Sequence, residues 1–285
     1  MKHGFIRLSI ILMGIGSLVL LVCTDRFQSG AEEDHVSPFT DEETVQVTLT
    51  TVYDNYQVNT ALRTAWGFGC VIQSGNESVL FDTGGDGGIL LKNMRQLQLQ
   101  PTQISKVVLS HIHGDHVGGL SGFLTENPDI TVYIPASFPQ SFRGTIRSKG
   151  ADYTDIQDPE KIAPGMYSTG ELGTSIKEQS LIVNTPEGIV VITGCAHPGI
   201  VRIVERATNL FPEQNIHLVM GGFHLGGASK QQLQDIILSF RELGVQKVAP
   251  SHCSGDLCRQ LMSQAFAENF IENGVGGIIM IPEQQ

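Results

Sequence analysis

The run Ser110-His-Ile-His-Gly-Asp-His-Val-Gly-Gly-Leu120 packs His111, His113, Asp115 and His116 into six residues. An ordinary apolar core cannot take such a run, since each ring nitrogen and carboxylate oxygen would need its own partner. A loop leaving a strand can take it, because its side chains can converge on a point and share one or two divalent cations. Imidazole together with carboxylate suits zinc, iron or manganese rather than calcium or magnesium. Glycines at 114, 118 and 119 permit the tight backbone that convergence requires. A solvated surface cluster is the competing reading, and the apolar, strand-like run 106–109 before it argues against that. The run is read as a metal site.

The same grammar recurs along the chain. Leu80-Phe-Asp-Thr-Gly-Gly85 sets Asp82 at a strand end, and Thr193-Gly-Cys-Ala-His-Pro-Gly199 supplies Cys195 and His197. Gly221-Gly-Phe-His-Leu225 supplies His224, and Pro250-Ser-His-Cys-Ser-Gly255 supplies His252. Of nine histidines only His3, His35 and His217 fall outside these motifs, a partition that favours one shared site.

Alternation and β-branching predict strands over 45–53, 69–73, 78–81, 106–109, 131–134, 181–184, 189–192, 217–220 and 247–249. Ile200, Ile203, Val204, Ala207 and Leu210 follow helical spacing, as do Leu233, Ile236, Ile237, Phe240 and Leu243. Ser229 and Gln232 offer a capping box for the second helix and Gly244 its end. Strands first, then strand–loop–helix units, predict a layered α/β protein whose polar motifs collect at one sheet edge.

With these motifs together, the chain resembles the metallo-β-lactamase-fold metallohydrolases over residues 45–260. The wording around Cys195 and His224 is similar to the dihydropterin–ribofuranosylaminobenzene phosphate synthase-like branch. The resemblance implies a four-layer αβ/βα sandwich with two divalent transition-metal ions at one edge, zinc first and iron or manganese as alternatives. It puts His111 and His113 on the first metal and Asp115 and His116 on the second, which His252 completes. Asp82 would orient the metal loop from behind. The middle of the pattern departs from the family, because no histidine lies between His116 and His197 and Cys195 stands where Thr-Gly-Asp is expected. Either His197 is the third ligand of the first metal, with Cys195 as a bridge or a packed thiol, or Glu178 fills the gap. His224 could serve as an acid or bind an oxyanion, or be a structural histidine.

The implied activity is hydrolysis of an ester, lactone, amide or phosphodiester by metal-bound hydroxide, with Asp115 and His224 as catalytic candidates. Two rivals remain open: a di-iron redox protein of the same fold, and a metal-binding or sensing module without turnover. The net charge of −11 argues against a general nucleic-acid surface, and the expected partner is a small-molecule substrate. Arg143, Arg147 and Lys149 could meet an anionic substrate or form a solvated loop. Cys253 and Cys258 could pair in an oxidising compartment.

The N-terminus adds a localisation. Lys2 and Arg7 precede an apolar stretch, Leu8 to Thr24, that reads as a signal peptide or membrane anchor. Residues 25–44 read as an acidic linker and 45–285 as the folded domain. This predicts an exported, periplasmic or extracytoplasmic protein, secreted or attached to a membrane. Export argues against the pyrophosphate-displacing condensation that the branch resemblance implies.

Overall fold

Side chains along each strand alternate between two apolar layers, and that alternation builds a sandwich. In the computed structural model, which describes Ser37, Phe39 and residues 43–282, the chain lays down one sheet, then the other, then returns. Strands β1 (Val47–Tyr53), β2 (Gly69–Ser74), β3 (Glu77–Phe81), β4 (Lys106–Val108), β5 (Thr131–Pro135) and β6 (Asp152–Ile156) form the first sheet in sequence order. Strands β7 (Glu160–Ala163), β8 (Met166–Ser168), β9 (Leu181–Thr185), β10 (Gly188–Thr193), β11 (Ile216–Gly222) and β12 (Lys247–Ser251) form the second. Strand β13 (Ile278–Ile281) comes back to pair antiparallel with β1.

Three apolar layers follow from the period of two. Cys70 and Ile72 of β2, Val79 and Phe81 of β3, and Val190 and Ile192 of β10 meet between the sheets. Their neighbours point the other way. Val71, Leu80 and Val107 pack under α1 (Gly87–Gln96), α3 (Leu120–Glu126) and α4 (Gln140–Ser148); the four-residue α2 (Gly114–Val117) lies in the histidine loop. Ile189, Val191 and Val219 pack under α5 (Ile200–Leu210), α6 (Lys230–Glu242) and α7 (Asp256–Phe266). This is the four-layer αβ/βα sandwich. Each such side chain contributes on the order of 1.5–3 kcal/mol by leaving water. A one-residue slip would therefore unpack two layers at once.

All nine expected strands form, and both expected helices. Ser229 Oγ accepts from Gln232 N, and Gln232 Oε1 accepts from Ser229 N at 2.9 Å, closing the capping box. Strands β6, β7, β8 and β13 were not expected. The first two and the last lie at or near sheet edges and are partly exposed, so their sequences lack a clean apolar alternation.

Three expectations are corrected. First, the segment carrying Arg143, Arg147 and Lys149 is mostly the helix α4, and its cations are engaged. Arg143 Nε donates to Asp155 Oδ1 at 2.9 Å and its Nη2 to Ala136 O at 2.9 Å. Arg147 stands 4.9 Å from the Tyr153 ring centre, and Lys149 Nζ donates to Thr125 Oγ1 at 3.1 Å. Second, Cys253 and Cys258 are both free, and Cys258 is packed into the core under β12.

Third, the signal peptide or membrane anchor, and the exported placement drawn from it, are withdrawn. Among the described residues no helix is long and apolar enough to cross a membrane. The stretch Leu8 to Thr24 lies outside the described residues, as does most of 25–44. Within 25–44, Phe39 packs its ring 4.4 Å from that of Tyr167 and 5.5 Å from that of Phe211.

Candidate metal centre

Parallel pairing brings several strand ends to one edge. Strands β3 and β4 are parallel in the first sheet, and β10, β11 and β12 are parallel in the second. Asp82, Ser110, Cys195, His224 and His252 follow the carboxyl ends of these strands, where open α/β sheets commonly place their ligands. The backbone there is unusual. Asp82 (φ 57°), Ala196 (φ 60°), His224 (φ 54°) and His252 (φ 50°) all adopt left-handed conformations rare for residues other than glycine. Strain of this kind concentrates at functional sites. Gly194 lets the loops close up, since a Cβ there would lie 2.1 Å from Ser110 Oγ.

Asp82, fully buried, is the anchor. Its Oδ1 accepts from Ser110 N, and its Oδ2 from Ser110 Oγ and from His116 Nδ1, each at 2.7 Å. Ser110 Oγ, donating to Asp82, is left to accept from His111 Nδ1 at 2.9 Å. Across the site, Asn55 Oδ1 accepts from His252 Nδ1 at 2.9 Å. Three imidazoles are therefore held from behind at Nδ1, and each turns an Nε2 lone pair inward.

Those lone pairs converge. His111 Nε2 lies 3.1 Å from His113 Nδ1, and the rings of both stand within 4.8 Å of the His197 ring. His116 Nε2 lies 3.6 Å from Asp115 Oδ2, and His252 Nε2 lies 3.3 Å from the same oxygen. Cys195 Sγ stands between the two groups, 3.2 Å from His116 Nε2. Asp115, His116, Cys195 and His252 offer one set of ligand atoms within 4.8 Å, and His111, Cys195 and His197 another. His224 joins the edge, its ring 4.3 Å from that of His197.

The site's electrostatics follow from this crowding. Burial, reinforced by the neighbouring imidazoles, pushes His111 far below its usual value and His197 down to about 4, so both rings are neutral at neutral pH. Burial opposes a charge on Asp115, but the neighbouring His252 and His116 rings hold its carboxyl well below the usual carboxylate range. Burial also opposes protonation of His116, which the Asp82 carboxylate overrides. The contact between the thiols pushes Cys195 up and Cys253 down.

Beyond this chain's own geometry, a family model of the metallo-β-lactamase superfamily matches residues 70–252. The chain belongs to the metallo-β-lactamase superfamily. It is 29% identical over 245 residues to a Methanocaldococcus jannaschii protein named 7,8-dihydropterin-6-methyl-4-(beta-D-ribofuranosyl)-aminobenzene-5'-phosphate synthase, covering 70% of this chain and 83% of that one. An uncharacterized protein of the same organism is 30% identical over 249 residues, with 75% and 93% covered. The crystal structure of a metal-dependent hydrolase of the β-lactamase superfamily matches with a TM-score of 0.68 at 25% identity, covering 82% of this chain and 98% of that one.

Members of this superfamily bind divalent metals, and the donor set here fits such ions. The buried Nε2 atoms of His197 and His252 have no hydrogen-bond partner. A buried polar atom left this way is costly unless something accepts its lone pair, and a cation does so. Glu178 does not fill that role. Its Oε1 accepts from Cys195 N at 2.9 Å and Ala196 N at 2.8 Å, and its Oε2 from His197 N at 2.8 Å. It shapes the loop instead. Glu178→Ala would strand three backbone donors, those of Cys195 and Ala196 buried, at about 1–3 kcal/mol for each buried one. Circular dichroism melts should show that destabilisation, and Glu178→Gln should recover part of it; an unchanged melting curve for both would refute this role.

Three features of the site escaped the sequence reading. Asn55 and Trp66, whose ring lies 4.8 Å from that of His252, sit in a loop with no motif to mark them. Cys253 adjoined a marked histidine but was set aside as a disulfide candidate.

Proposed function

We propose that this protein is a binuclear metal-dependent hydrolase acting on an ester, lactone, amide or phosphodiester of a small, anionic molecule. The observation that carries the reading is the pair of inward-facing ligand groups meeting at Cys195, each with an orphaned imidazole nitrogen. His111, His113 and His197 would hold one cation, and Asp115, His116 and His252 the other. Divalent cations so held supply acidity to a water molecule and polarise the oxygen of the bond to be cleaved.

The chain's own groups supply the rest. Asp82, Ser110 and Asn55 fix the tautomers of His116, His111 and His252. Asp115 is a quarter exposed, so its carboxylate faces both the ligand cluster and the open edge, where it can orient or accept a proton. His224 is exposed beside His197 and is placed to protonate a leaving group. A cavity of about 160 Å³ is lined by His197, Pro198, Arg202 and the 173–176 loop. Arg202 there gives an anionic substituent a cationic partner next to the ligands. The synthase name of the M. jannaschii relative carries a phosphate, which suits the same cavity.

The test is a panel of chromogenic esters, lactones and phosphodiesters with and without a chelator. Turnover should vanish on chelation and return with zinc or manganese. Arg202→Ala should raise KM roughly tenfold for anionic substrates, the scale of one charged hydrogen bond, and leave neutral ones unchanged. Turnover that persists in the stripped protein contradicts the proposal.

A further inference from the structure

The six proposed ligands leave three metal-binding side chains at the same edge: Cys195, His224 and Cys253. Cys253 follows His252 in the turn after β12, and His224 follows β11. Cys253 Sγ lies 3.3 Å from Cys195 Sγ, and the ligand atoms of Cys195, His224 and Cys253 all fall within 4.8 Å of one another. We infer that these three residues form a further, thiophilic cation position beside the proposed pair, suited to zinc or copper(I). The inference touches the hydrolase reading at Cys195, where the two ligand groups meet, and at His224, whose imidazole would bind this cation in place of donating a proton.

The chemistry of the donors selects the ion. Two thiolates and an imidazole are a soft set that favours zinc and copper(I) over magnesium, calcium or manganese. Two cysteines and a histidine with an open fourth position are a known zinc arrangement. Both sulfurs here are buried while His224 is exposed, so an open position would face solvent.

The backbone is shaped around the cluster. His224 takes a left-handed conformation (φ 54°), rare for residues other than glycine. In that conformation its N–H donates to Cys253 Sγ at 3.3 Å, a contact that stabilises negative charge on sulfur. A Cβ on Gly222 would lie 2.8 Å from Cys253 Sγ, so the glycine makes room for the thiol. The three residues come from three adjacent parallel strands, the same device that delivers the other ligands.

The test uses the reduced full-length chain, kept free of oxygen and titrated with cadmium alone. Bound cadmium is counted by elemental analysis after dialysis, and cadmium–thiolate charge transfer is read in the ultraviolet. Cys253→Ser should bind one cadmium fewer than the unmodified chain and lose most of the charge-transfer band, since the ion held by both thiolates is gone. His224→Ala alters an exposed side chain and should also lower the count by one, which guards against a folding defect in the cysteine variant. His252→Ala should lower the count while keeping the Cys253-dependent ion. Equal cadmium content and an unchanged band in Cys253→Ser and His224→Ala overturn the inference. Failure of the hydrolase reading looks different: the count would be insensitive to His111→Ala and His252→Ala but still fall in Cys253→Ser.

Discussion

Asp115→Ala is expected to lower kcat/KM by a factor on the order of 10²–10⁴, the range for removing a positioned acid–base group. Its Oδ2 is 3.3 Å from His252 Nε2 and 3.6 Å from His116 Nε2, so the substitution takes the one carboxylate from that ligand group. The side chain is a quarter exposed, and folding should be little affected. Steady-state kinetics alongside a thermal melt separate the two effects. Undiminished turnover by a folded Asp115→Ala protein would remove Asp115 from the reaction and with it the proposed second cation.

Asp82→Ala should act on both stability and metal affinity. The buried carboxylate accepts three hydrogen bonds at 2.7 Å, two from Ser110 and one from His116. Breaking a buried charged pair by removing one partner costs about 3–5 kcal/mol. Losing the group that orients a ligand histidine lowers metal affinity roughly 10–100-fold. Alanine also tolerates the left-handed backbone at this position (φ 57°) less well than aspartate. Asp82→Asn keeps an acceptor and the conformational tolerance, so its losses should be smaller on both scales. Denaturant unfolding and competition with a chromogenic chelator measure them. Wild-type values for Asp82→Ala would mean that His116 needs no partner behind it.

The architecture was legible in most strands buried on both faces, the three-residue β8 being missed. Val190 and Val191, adjacent in β10, go to different cores, and such runs announce themselves as apolar stretches. Strands β6 and β7, with exposed residues near the sheet edges, carry no such signal. At the site, the histidines were marked by local crowding, because spacing in sequence put them on strand ends. Glu178 was foreseen as a possible ligand, yet its oxygens are taken by the backbone of 195–197, a contact no spacing encodes. Asn55 meets His252 across nearly two hundred residues, and Cys253 meets Cys195 only because β10, β11 and β12 run parallel. The N-terminal reading failed for a different reason. Hydropathy alone cannot distinguish a signal from any other short apolar stretch, and seventeen residues are marginal for a span.

The most direct measurement is the zinc, iron and manganese content of the purified, folded protein after reconstitution, compared with His111→Ala, His252→Ala and their combination. Cation content should fall with each single substitution, and the double variant should lose what both singles lose. A folded protein that takes up no transition metal, or one whose metal content ignores both histidines, would contradict the account.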